Sequence, residues 1–201
     1  MIRSLPHSIQ RPGRYCLDKD LQTSAAIALD ILSDDVTLDL RGYRVVGTLG
    51  VATQAIGIHA MDRKRLVVRN GTVTGFERGV YLIGPAAREV LVEGVRAVAN
   101  TYAGIQVFAA ASTVRGCTVL DTGGSAASPQ TAMGIGVAGD GSQVVDNFVD
   151  HTTAAGAGGW AAGIQNDQAQ GFVLGNRVVG VSGGAANYGV LCNGAGSTNY
   201  P

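Results

Sequence analysis

No run of about 18 consecutive apolar residues occurs in this chain of 201 residues, so no segment is expected to span a membrane as a helix. Neither sign of charge is in excess. Fifteen basic residues face 15 acidic ones, and the basic surface that a nucleic-acid partner requires is not expected. Lysine is almost missing, with Lys19 and Lys64 the only two. The three cysteines, Cys16, Cys117 and Cys192, lie far apart and form no C-x-x-C pair, which excludes the usual zinc and redox motifs. They allow at most one disulfide, and buried apolar thiols are the expected state. Residues 1–7 contain no apolar run before a small-residue cleavage site, so no signal peptide is read there. Long polar tracts are lacking too. With 46% hydrophobic residues, the composition excludes a low-complexity disordered chain. Helical periodicity is nowhere sustained over about ten residues.

What is present in quantity is glycine, 30 of 201 residues, about twice the usual share. The glycines mark a repeat. Gly104-Ile105-Gln106-Val107-Phe108 reads as a strand, and after a short bend Thr113-Val114-Arg115-Gly116-Cys117-Thr118-Val119 reads as a second. The same unit opens at Gly57, Gly79, Gly134, Gly163 and Gly189, at intervals of 22, 25, 30, 29 and 26 residues. Such a period marks a solenoid of stacked coils, each of which buries its apolar face only against its neighbours.

Residues 1–24 do not carry the repeat and are read as an N-terminal cap, since an open solenoid end exposes unpaired backbone and bare core. Residues 25–201 form the repeat, one domain overall, beginning with Ala25–Leu29 and the alternating strand Val36-Thr37-Leu38-Asp39-Leu40. Residues 48–54 read as a loop. Insertions of small and polar residues lengthen adjacent coils at 122–131, 152–160 and 181–187. With coils stacked about 4.8 Å apart, these loops are expected to emerge on one side, one above another. Residues 194–201 hold little apolar material, which leaves the last coil open and covered, on this reading, by another chain.

Alignment of the coils sorts residues into columns. Ile58, Val80, Ile105, Ile135, Ile164 and Val190 form an inward column; two places on, Ala60, Leu82, Val107, Val137, Asn166 and Cys192 form another. On the second strand Asp39, Arg69, Glu93, Arg115 and Asp146 alternate in sign, an expected ladder of stacked ion pairs. The next column, Asn70, Gly94, Gly116, Asn147 and Asn176, consists of residues that tolerate a left-handed bend. Met61, Ile83 and Phe108, with Tyr81 beside them, fall outside as an apolar strip, the kind of surface that another subunit, a loop or a sugar covers. Self-association through this strip or through the open last coil is the expected partner interaction.

The segments Asp34–Tyr43 and Val68–Val73 resemble right-handed parallel β-helix proteins of the pectin-lyase-like superfamily, over roughly residues 8–196. The resemblance implies an all-β, single-stranded, right-handed parallel β-helix of about seven coils, located outside the cell or on its surface. It also implies either polysaccharide chemistry or a non-catalytic binding or filament role. Catalytic members use stacked aspartates with His-Gly and Arg-Ile-Lys segments, or an Asp-Pro-His-Glu run, and none of these motifs is present here. Hydrolysis needs two carboxylates about 5–9.5 Å apart, for which Asp146, Asp150 and Asp167 are the candidates, with His151 beside Asp150 as a further candidate catalytic residue. Asp146-Asn147 and Asn166-Asp167 offer oxygens of the kind calcium takes, but no tight group of three acids is visible, and neither a metal nor another cofactor is expected. Tyr81, Phe108 and Asn166 are the candidate sugar contacts. The expectation is a non-catalytic surface β-helix that binds polysaccharide or self-assembles, with a lyase or glycosidase acting on acidic polysaccharide, or a structural filament or spike module, as alternatives.

Overall fold

A computed structural model describes residues 1–48, 54–125, 131–167, 170–193 and 198–200. Among the described residues there are twenty strands and no helix: β1 (His7–Ile9), β2 (Gly13–Cys16), β3 (Leu21–Thr23), β4 (Ile27–Ile31), β5 (Val36–Asp39), β6 (Arg44–Gly47), β7 (Ile56–Met61), β8 (Lys64–Thr74), β9 (Arg78–Val98), β10 (Ala103–Ala110), β11 (Thr113–Arg115), β12 (Thr118–Gly123), β13 (Ala132–Ala138), β14 (Gln143–Val145), β15 (Phe148–Thr153), β16 (Trp160–Asn166), β17 (Phe172–Leu174), β18 (Arg177–Ser182), β19 (Ala186–Cys192) and β20 (Thr198–Tyr200). They form a parallel β-solenoid of right-handed type with about seven turns. Three faces run its length. The first takes β1, β4, β7, the start of β9, β10, β13, β16 and β19. The second takes β2, β5, the first part of β8, the middle of β9, β11, β14, β17 and β20. The third takes β3, β6, the rest of β8 and of β9, β12, β15 and β18. Residues 1–24, read from sequence as standing outside the repeat, supply a strand to each face through β1, β2 and β3, and so pair as a coil.

The core is built from residues that recur in register. On the first face Leu29, Ile58, Val80, Ile105, Ile135 and Ile164 pair successively and are all fully buried, with Val190 next in line. The second face contributes Leu38, Val68, Val92, Val114, Val144 and Val173, and the third Val45, Val73, Ala97, Val119, Val149 and Val178. Alternation along each strand puts these side chains inside. Burial of a valine or isoleucine is worth about 1.5–3 kcal/mol, so stacked coils supply one another with a continuous core.

The glycine that opens each coil is explained by packing rather than by turn geometry. A Cβ on Gly57, Gly79, Gly104, Gly134 or Gly163 would fall 2.6, 2.6, 2.8, 2.5 and 2.8 Å from the carbonyl oxygen of the following glycine in the column. At Gly57, Gly104, Gly134 and Gly163 it would also strike the inward valine of the third face, Val73, Val119, Val149 or Val178. From Gly57 to Gly163 the first and third faces approach so closely that no side chain fits between them, whereas one coil earlier the column holds Ala28.

Corners are turned by single residues in the left-handed region, in vertical register. Asp35, Arg65 and Glu89 take it between the first and second faces, with φ of 58°, 53° and 58°. Arg65 hydrogen-bonds both carboxylate oxygens of Asp35 (2.6 and 2.9 Å) and holds that carboxyl below its ordinary pKa. Between the second and third faces the column is Asn70, Gly94, Gly116, Asp146 and Gly175. Two sequence expectations are corrected here. The charge column does not continue to Asp146, because Arg115 pairs with Val145, and it is made of two separate bridges, Asp39–Arg69 (2.9 Å) and Glu93–Arg115 (2.6 Å). Asn147 and Asn176 are not corner residues but sit one place further on, in line with Cys117. The error is a single residue, and its cause is that aspartate and glycine accept the left-handed bend as well as asparagine does.

The displaced asparagines form a ladder of their own. Cys117 N–H donates to Asn147 Oδ1 (2.9 Å), Asn147 Nδ2 donates to Val114 O (3.0 Å) and Asn176 Oδ1 (2.8 Å), and Asn176 Nδ2 donates to Val144 O (2.8 Å). The insertions start from stacked positions: Thr122 pairs with Thr152 and Thr152 with Val181. The second and third insertions lie against one another, with Ala185 N–H donating to Gly159 O (2.7 Å). The middle of the first insertion (126–130), the loop 49–53 and the tail read as leaving the last coil open (194–197 and 201) lie outside the described residues, while β20 pairs with β17.

Candidate functional site

Strand alternation sends Asp30, His59, Tyr81 and Gln106 to the exterior of the first face, in register on β4, β7, β9 and β10. Two places on come Met61, Ile83, Phe108 and Ala138, as the sequence columns predict. The exterior is not uniform. Gln106 and Met133 are almost fully buried, with Gln106 Nε2 3.7 Å from the Met133 sulfur, so this face is closed at Gln106, while Phe108, two places on, is only half-buried. Nearer the N-terminus His59 and Tyr81 are half-buried and Met61 is 50% exposed.

On the open part the side chains are held by one another. Asp30 Oδ1 lies 2.8 Å from His59 Nδ1. A proton on Nδ1 donates to this carboxylate and leaves Nε2 as the free position of the ring. The His59 and Tyr81 rings are 6.0 Å apart at 34°. The Arg78 guanidinium lies over two rings, 5.0 Å from the centre of Tyr81 and 4.6 Å from that of Tyr102. Beneath it, the fully buried Glu77 pairs with Arg78 Nη1 at 3.1 Å. Neither Glu77 oxygen nor Arg78 Nε has a hydrogen-bond partner among the described residues. Breaking a buried ion pair leaves an uncompensated charge and costs about 3–5 kcal/mol, so Glu77 fixes Arg78, and Arg78 in turn orients both tyrosines. Along the same face, Phe108 borders a shallow apolar groove of about 410 Å³ lined with Ile83, Pro85, Ala87, Ala110 and Ala138.

Tyr81 and Phe108 thus share one exterior face. Asn166 does not join them. It lies inside the coil between Val137 and Cys192, fully buried, out of reach of any ligand on that face. Neither of its amide atoms has a partner among the described residues. A buried unpaired amide is costly, and valine matches the neighbouring rung. Asn166→Val is therefore expected to raise stability by about 1–2 kcal/mol, read as a higher midpoint in urea; a lower midpoint would show that the amide is satisfied.

The four candidate catalytic residues do not converge. Asp146 turns the corner between the second and third faces. Asp167 follows the end of β16 on the first face, where it accepts from Asn193 Nδ2 (2.6 Å) and from Gln165 Nε2. Asp150 and His151 are together on β15 at the far edge of the third face, 2.9 Å apart. Their neighbour is Asp121, one coil away, in the same left-handed column as His151. Asp121 and His151 line a groove of about 330 Å³ with Thr122 and Thr153. Sequence reasoning missed Asp121, although its spacing of 30 residues from His151 is that of neighbouring coils.

Arg78, Tyr102 and Glu77 were also missed. They precede the opening glycines, where no column repeats in type, and only the size and charge of the side chains there mark the position. No disulfide joins the three cysteines, Cys16, Cys117 and Cys192. Cys117 is buried, and burial pushes its thiol up to about 11. Among the described residues, no three His, Cys, Asp or Glu side chains are grouped to hold a metal ion, and no helix is long and apolar enough to cross a membrane. No protein-family model, curated protein or solved structure matches the chain.

Proposed function

We propose that this protein is a non-catalytic β-solenoid that binds polysaccharide across the open exterior of its first face, outside the cell or on its surface. The observation that carries the reading is the clamp of Arg78 between Tyr81 and Tyr102, on the same rigid face as Phe108. Sugar rings are bound by aromatic faces that take their C–H surfaces and by polar groups at the edges that take their hydroxyls. Tyr81, Tyr102 and Phe108 provide the rings; His59 Nε2 and the Asp30 carboxylate provide edge partners. The resemblance to pectin-lyase-like β-helices supports the same ligand class.

Titration calorimetry against a panel of neutral and acidic oligosaccharides tests it. At least one should bind, and Tyr81→Ala should weaken that binding about tenfold, the worth of roughly 1.4 kcal/mol of ring contact. Phe148→Ala, on the third face, should leave it unchanged. Absence of binding across the panel, or equal losses in the two variants, would sink the reading.

Self-assembly is the second reading, favoured by the half-exposed Met61 beside Ile83 and Phe108. Light scattering separates the two, since an assembly held by this strip should be dissociated by Phe108→Glu without unfolding. The lyase or glycosidase alternative has narrower support, the Asp150–His151 pair above its groove, because Asp146 and Asp167 stand on other edges.

A further inference from the structure

The second face carries a separate feature at its N-terminal end. Arg14 on β2 and Arg69 on β8, together with Arg41 at the corner after β5, line one groove of about 290 Å³. Asp39 is the one carboxylate in its wall, and its oxygens are already used. Oδ2 accepts from Arg69 Nε (2.9 Å), while Oδ1 accepts from the Arg41 backbone N–H (2.9 Å) and from Asn70 Nδ2 (3.4 Å). Among the described residues Arg14 makes no side-chain hydrogen bond or ion pair, and the Arg41 guanidinium makes one long hydrogen bond, to the Cys16 sulfur at 4.0 Å. In the groove wall three guanidinium groups face one carboxylate, and the nearest others are paired elsewhere, Glu93 on the next rung with Arg115 and Asp18 with Arg3, which leaves a local excess of positive charge in a chain whose formal net charge is zero. That charge is gathered in a depression rather than spread over a flat face, where each group would be separately solvated. Guanidinium groups present paired N–H donors that match the oxygens of a tetrahedral anion.

From this geometry we infer an oxyanion-binding site on the second face, formed by Arg14, Arg41 and Arg69, for a sulfate- or phosphate-type group. Asp39 positions Arg69 and the Arg41 corner, and Arg14 and Arg41 supply free donors. The site is on a different face from the aromatic clamp and stands or falls independently of it.

Cys16 lies in the same groove, half-buried, and serves as the reporter. Its alkylation by iodoacetamide, followed by peptide mass spectrometry, is measured in sodium sulfate and in sodium chloride at equal ionic strength. Sulfate should slow modification of Cys16 at least threefold, with Cys192 unaffected as the internal reference. The double variant Arg14→Gln/Arg41→Gln, whose altered side chains are exposed and whose fold is checked by circular dichroism, should lose that protection. Dextran sulfate and plain dextran distinguish the source of the group. Protection by the sulfated polymer at lower sulfate equivalents assigns an ester on a glycan, whereas protection by inorganic sulfate alone assigns a free anion. Equal rates in sulfate, chloride and dextran sulfate overturn the inference, as does protection that persists in the double variant.

Discussion

Gly104→Ala should destabilise the protein by about 3 kcal/mol or more, a large share of the 5–15 kcal/mol that holds a typical domain together. Gly104 is not in a left-handed conformation, so alanine meets no backbone strain there. The cost is steric. The added methyl would lie 2.8 Å from the carbonyl oxygen of Gly134 and would overlap Val119 Cγ1. Val119 is fully buried and the Gly134 carbonyl belongs to the neighbouring coil, so relief requires the first and third faces to move apart. Overpacking a dense core costs about 1–3 kcal/mol even where side chains can adjust, and here one obstacle is backbone. Gly189 is the control. It occupies the same column, and a Cβ there meets no atom of the described residues within 4 Å, so Gly189→Ala should change stability by less than about 0.5 kcal/mol. Urea unfolding of both variants gives the comparison, and equal midpoints would refute the close approach of the two faces along this line.

Asn147→Ala should cost about 3 kcal/mol, through hydrogen bonds rather than volume. The Asn147 side chain accepts from Cys117 N–H and donates to Val114 O and to Asn176 Oδ1, and it is almost fully buried. Removing it leaves the Cys117 amide and the Val114 carbonyl inside the corner without these partners, and each buried group left unpaired costs about 1–3 kcal/mol. Asn147→Asp separates the two roles of the amide. It keeps an acceptor for Cys117 N–H but turns oxygen toward Val114 O and Asn176 Oδ1, and so should also destabilise. Thermal and urea unfolding measure both. A loss under about 0.5 kcal/mol for the alanine variant would mean that the ladder holds neither the corner nor the register of adjacent coils.

These two variants mark the limits of what could be read in advance. The glycine column was evident because glycine recurs at coil spacing, and the inward columns from Ile58 to Val190 and from Ala60 to Cys192 followed from strand alternation and were in register as expected. Asn147 and Asn176 share a column as expected, but one residue beyond the bend to which the sequence assigns them, and as a hydrogen-bonded ladder that the sequence does not reveal. Asn147 was assigned to the bend, and the bend is made by Asp146. A corner asks only for a residue that tolerates positive φ, and in Asp146-Asn147 two adjacent residues qualify. The slip carried Asp146 into the charge column, where the structure has Val145. Residues 1–24 are not legible as a coil because Pro6, and not a glycine, stands at the place where the coils from Gly57 onward open.

For the site the division is sharper. Period and alternation alone determined that the chain coils, which residues fill its core, and that Tyr81 and Phe108 share an outer face, because every coil repeats the same backbone path and vertical neighbours inherit one orientation. Only the tertiary structure decided that Arg78 lies between Tyr81 and Tyr102 above a buried Glu77, that the inward-facing Asn166 finds no side-chain hydrogen-bond partner among the described residues, that Asp150 and His151 stand apart from Asp146 and Asp167, and that three arginines share a groove. Those outcomes depend on where long side chains turn after leaving the backbone. That choice is made by packing against neighbours on the same coil, as Tyr81 is to Arg78, and on the next, as Tyr102 is, and no repeating column encodes it.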